Sequence, residues 1–111
     1  MQSMDPVALI DRAHLARQTF GDTELAHELL GLFAEQCRSL LPGIVDTARP
    51  ITERADLAHT LKGSALGIGA GRVAHLSGAI EDRLRAGEAA GPTDALSDAV
   101  AETLAVLAPA T

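Results

Sequence analysis

The sequence predicts an all-α protein, an antiparallel four-helix bundle with an additional short N-terminal helix. Ala and Leu supply most of a hydrophobic fraction of 47%, whereas aromatic residues make up 2%. β-branched residues are thinly scattered, and that balance favours helices over sheets. Apolar residues also recur three and four positions apart, the spacing that lines one face of a helix. Glycine and proline separate these stretches, so connections are short and neighbouring helices run antiparallel. At 111 residues, the chain is expected to form one domain over 1–111 with a single hydrophobic core.

Asp5 followed by Pro6 is a helix-start signal, and a short first helix is expected to run to about Arg17. Gly21 breaks it. Asp22 or Thr23 then caps a second helix, in which Leu25, Leu29, Leu32, Phe33, Gln36 and Leu40 follow helical spacing. Pro42-Gly43 would ordinarily stop it, but Ile44, Val45 and Ala48 continue the apolar face, so a kinked helix reaching about Ala48 is expected. Arg49-Pro50 is a firmer boundary, with a third helix from about Ile51 to Leu66. The glycine-rich run Gly67-Ile68-Gly69-Ala70-Gly71 marks a helix end and tight reversal, with Gly71 adding flexibility. Val73, Leu76, Ile80 and Leu84 form a fourth stripe, closed by the segment Gly87 to Pro92. Thr93 or Asp94 caps a last helix carrying Leu96, Val100, Leu104 and Leu107.

A net charge of −6 opposes non-specific attraction to nucleic acid or anionic lipid, so neither is an expected partner. Met1 to Pro6 lacks the basic-then-apolar layout of a signal peptide, and no apolar run approaches membrane-spanning length. The single cysteine, Cys37, has no intramolecular partner, and it does not group with the four histidines at structural-zinc spacing. These features predict a cytoplasmic protein that binds no metal or cofactor, and a monomer is expected.

The chemistry concentrates on the third helix. His59, Lys62, Gly63 and Leu66 share an arc of about 100°, whereas Leu57, Leu61 and Ile68 point the other way, so the imidazole faces away from the core. Gly63 stands one turn after His59, where a side chain is expected to crowd the ring. A glycine inside a helix costs about 1 kcal/mol relative to alanine, so access to the ring is a reason to keep it. Lys62 can reach a phosphoryl group carried on the ring and offset its charge. A histidine side chain titrates near neutrality, which leaves one ring nitrogen with a lone pair for attack on phosphorus.

The run Ala58-His59-Thr60-Leu61-Lys62-Gly63-Ser64-Ala65, continuing through Gly69 to Val73, Ile80 and Glu81, resembles the signature of the histidine-containing phosphotransfer (HPt) family. The Leu41-Pro42-Gly43 step and Phe33 resemble that family's preceding helix. The resemblance implies a phosphorelay intermediate on a four-helix bundle. His59 is then the phosphoacceptor, Lys62 the electrostatic helper and Gly63 the clearance residue, with Ser64 near the site or capping local backbone. The partners implied are response-regulator receiver domains and a sensor or hybrid histidine kinase, the receiver supplying the aspartyl phosphate and Mg²⁺. Kinase dimerisation helices usually place an acidic residue after the histidine, which Thr60 does not match. The chain is therefore expected to be a phosphocarrier and not an enzyme that phosphorylates itself. The alternative is a helical interaction module that binds a receiver or kinase without carrying phosphate. A hydrolase working through a covalent His59 intermediate lacks an evident acid or base.

Other residues invite plainer readings. His14, His27 and His75 have no Lys-Gly setting and are expected at the surface or its boundary. Arg12, Arg17, Arg38 and Arg72 read as surface charges, and Cys37 as a small buried hydrophobe. Glu81-Asp82 with Arg83 and Arg85 reads as an exposed, locally ion-paired face without a function.

Overall fold

The computed structural model describes residues 9–91 and 93–107. It contains α1 (Arg12–Gln18), α2 (Thr23–Val45), α3 (Ile51–Ile68), α4 (Gly71–Arg85) and α5 (Asp94–Leu107), with no strand among the described residues. Helices α2 to α5 form the bundle and α1 packs on α3 and α2. The α3–α4 interface is the most extensive, followed by α2–α3. Contacts across both pairs run in opposite chain directions. Ser64 meets Gln36 while Arg54 meets Ile44, and Lys62 and His59 meet Glu81 while Asp56 meets Arg85. No helix among the described residues is long and apolar enough to cross a membrane.

The expected start at Asp5-Pro6 lies outside the described residues. Helix α1 begins at Arg12, where the Asp11 side chain accepts a hydrogen bond from the His14 N–H at 3.0 Å. Asp22 caps α2 by accepting from the Leu25 N–H at 3.1 Å, leaving Thr23 as the first helical residue. Helix α2 passes through Pro42 and ends at Val45, short of Ala48. Asp46 turns extended there, and its carboxylate accepts from the Ala48 N–H at 2.9 Å, a local bond that competes with helix continuation. The carbonyl of Ile44, otherwise unpaired in that last turn, accepts from Nε of the buried Arg54 at 2.8 Å.

Helix α3 runs two residues beyond Leu66, so Gly67 is helical, and the reversal narrows to Gly69 and Ala70. Gly69 is left-handed at φ 84°, and the Ala70 N–H closes the helix end on the Ala65 carbonyl at 2.8 Å. Gly71 is buried as the first residue of α4, contrary to the flexibility expected of it. The Gly69 carbonyl accepts from the Asp11 N–H at 2.7 Å, which ties α1 to this turn. On α3 the buried face carries Ala55, Ala58, Leu61, Ala65 and Ile68, packed with Phe33, Ile44, Val73, Leu84 and Leu96 into the core. The alanines let α2 and α4 come close, and that proximity brings α4 side chains within reach of α3.

A Cβ at Gly69 would lie 2.9 Å from the Asp11 carbonyl oxygen, on a backbone that side chains rarely adopt. Gly69→Ala is therefore expected to lose about 1–3 kcal/mol in urea unfolding. Gly31→Ala, on an exposed helical position with open space around it, is the control and should gain stability.

Candidate functional site

His59 stands near the middle of α3 with its side chain 63% exposed, on the edge of the helix that faces α4. Its Nδ1 lies 3.0 Å from Oε2 and 3.2 Å from Oε1 of Glu81, whose side chain is only 8% exposed. Glu81 was expected on an exposed face, and this is a correction. The residue belongs to the α4 stripe of Val73, Ser77, Ile80 and Leu84 that turns toward the bundle, whereas Asp82 next to it is exposed.

Burial on its own would favour the neutral acid at Glu81. Hydrogen bonds from Arg85, His59 and Lys62 together outweigh it and hold the carboxyl below its ordinary value. An ionised carboxylate can only accept, so His59 Nδ1 must carry the hydrogen of this bond. In the neutral form of the ring the second nitrogen, Nε2, is then the one with the free lone pair.

Lys62, one turn along α3, places Nζ 3.3 Å from Glu81 Oε1. Its stem lies over Gly78 of α4, where even a methyl group would approach Lys62 Cδ to 3.1 Å. On the other side, Arg85 donates from Nε to Glu81 Oε2 at 2.8 Å and from its terminal nitrogen to Asp56 Oδ1 at 3.0 Å. Each carboxylate oxygen therefore has its own cation.

Gly63 is exposed, and a Cβ there would meet nothing within 4 Å. A methyl group would thus leave the ring uncrowded, contrary to the expectation. Ser64 turns away from the ring and donates to Gln36 on α2. Leu66, on the same helix, is 45% exposed. Among the described residues no group of three His, Cys, Asp or Glu gathers to hold a metal ion. Cys37 is fully buried, and burial pushes its thiol up to about 11. His14 sits half-buried against the α3–α4 turn, while His27 and His75 are exposed.

The sequence reading missed Asp56, Gln36, Gly78 and Arg85 as site residues and assigned no function to Glu81. A signal for three of them was present. Folding the chain back on Ala70 sets His59 opposite Glu81, Lys62 opposite Gly78 and Asp56 beside Arg85.

The described residues thus form a helical bundle that presents a braced, partly exposed imidazole on one helix face. The chain matches the family model for the Hpt domain over residues 24–108 and belongs to that family. Comparison with curated proteins and with solved structures gives no match. As a member, the protein is a phosphorelay intermediate between receiver domains, interacts with receivers and histidine kinases, and carries phosphate without being an enzyme itself.

Two outcomes test the geometry. Gly63→Ala is expected to stabilise the fold by about 0.5–1 kcal/mol in chemical denaturation, since it adds helix propensity without a clash. The depressed Glu81 pKa means that its contribution to stability is complete above its ordinary value of 4.5 and is lost as pH falls through the lower folded value. The stability advantage of the wild type over Glu81→Gln should thus shrink on acidification through that range. An advantage that grows toward acid would contradict the assignment.

Proposed function

We propose that His59 is the phosphoacceptor of this carrier and that Nε2 is the reacting atom. The observation that carries the reading is the bond from Nδ1 to the buried Glu81 carboxylate, which leaves Nε2 as the free nitrogen on the exposed side of the ring. The neutral imidazole attacks the phosphorus of a receiver's aspartyl phosphate. The Nε2–P bond forms, the P–O bond to the aspartate breaks, and the carboxylate leaves with that electron pair.

No proton has to leave the ring in this step. Attack through Nε2 makes the imidazole cationic, with its hydrogen still on Nδ1, and Glu81 faces that positive charge at hydrogen-bond distance. Lys62 stands one helical turn away and neutralises the phosphoryl oxygens. Gly63 leaves room for the receiver, Leu66 offers it an apolar contact, and the Ser64–Gln36 bond keeps α2 in register beside the site. Return of the group to a second receiver retraces the same path. A reducing, cytoplasmic setting suits this carrier, a reading supported by the unpaired Cys37 buried in the core.

The decisive experiment incubates the protein with a phosphorylated receiver and maps the label by mass spectrometry under conditions that preserve phosphohistidine. Label is expected on His59, and His59→Gln should neither accept nor relay it. Relay by His59→Gln would sink the proposal. Binding of receivers with the label remaining on the receiver would establish the interaction module instead. Lys62→Ala should still be labelled at His59 but roughly ten- to a hundredfold more slowly. Gly63→Ala should slow transfer despite its greater stability.

A further inference from the structure

The two cations on Glu81 differ in how firmly they are held. Lys62 reaches one oxygen from a flexible stem, at 3.3 Å, the longest of the contacts to this carboxylate. Arg85 takes the other oxygen at 2.8 Å, and its guanidinium is fixed on a second side by Asp56 at 3.0 Å. Exposed ion pairs of the Arg85–Asp56 kind contribute little to stability on their own. Here the pair secures a group that reaches a buried carboxylate, so its effect is geometric.

Resting on the phosphoacceptor reading above, we infer that Arg85, tethered by Asp56, is a positioning residue that keeps Glu81 on His59 Nδ1 while Lys62 moves from the carboxylate to the arriving phosphoryl group. The incoming group carries negative charge that draws the mobile ammonium away. Glu81 is left with the cationic ring and Arg85 as its positive neighbours and an anion nearby. Without Arg85 the carboxylate would turn from the ring or take up a proton, and the cationic phosphoimidazole would lose its counter-charge. With Arg85 in place, the charge on the site is redistributed and Glu81 stays where it is.

The handover predicts an asymmetry between the free and phosphorylated states. In the free protein Lys62 still braces Glu81, so Arg85→Gln should change exchange of the His59 Nδ1 hydrogen with water by less than twofold. In protein phosphorylated chemically with phosphoramidate, where docking plays no part, the same substitution should speed that exchange at least tenfold. Both are read by nitrogen-15 spectroscopy of labelled histidine. Arg85→Lys and Asp56→Asn should fall between wild type and Arg85→Gln, and they give the same readout should Arg85→Gln fold poorly. Lys62→Ala should hold the Nδ1 hydrogen in both states.

Slow exchange in phosphorylated Arg85→Gln, as in the wild type, would overturn the inference. Equal loosening in both states would also overturn it, since Arg85 would then be a static brace. Phosphoryl label on a residue other than His59 would instead defeat the phosphoacceptor reading, so the two failures are distinguishable.

Discussion

A carboxylate withdrawn from water is costly unless its lone pairs are satisfied, and Glu81 meets that condition through donors from two helices. His59 and Lys62 reach it from α3 and Arg85 from its own helix, one turn on. Removing any one of these partners leaves a buried charge less compensated. The group therefore requires α3 and α4 to hold a single register. That register is set by the reversal at Gly69 and Ala70, where a left-handed residue lets the chain turn within two positions. Orientation of the imidazole, the free nitrogen and the placement of Lys62 all follow from it.

The two faces of α3 serve opposing needs. One carries small and apolar residues so that α2 and α4 can approach, and Ala55, Ala58 and Ala65 are almost entirely buried there. The other has Gly63 and Leu66 exposed, with His59 on the border between a packed neighbour and solvent. A ring placed deeper would be closed to another protein, and one placed farther out would lose Glu81. Sequestration of the acceptor oxygens together with exposure of the ring satisfies both needs with one rotation of the helix.

Much of this was legible in the sequence. Helix number and order follow from apolar periodicity and from Gly and Pro punctuation, and His59, Lys62 and Gly63 stand out because their spacing places them on one face. The boundaries were less legible where side chains compete with the backbone. Asp46 ends α2 early through a local bond, and Gly67 remains helical because the reversal needs only Gly69 at positive φ. Glu81 was misread because a charged residue beside Asp82, Arg83 and Arg85 looks solvated when only its own helix is considered. Its burial is a property of the α3–α4 pair. Pairing residues at equal chain distance from Ala70 would have revealed it, which shows that the missing information lay in hairpin register and not in local propensity.

The same register explains why lysine and arginine are used differently around one carboxylate. Lysine is a compact charge with rotatable donors on a flexible stem, whereas arginine presents a planar fork that can be held by two acceptors at once. Lys62 runs over Gly78, where the absence of a side chain leaves its stem room to lie. Arg85 spans from Glu81 to Asp56 and so connects α4 back to the turn of α3 preceding His59. Under the phosphoacceptor role proposed for His59, exchanging the two residue types would put the mobile charge where rigidity is needed and the rigid one where the phosphoryl group arrives. The charge count would be unchanged, but the flexible ammonium beside the ring would be lost.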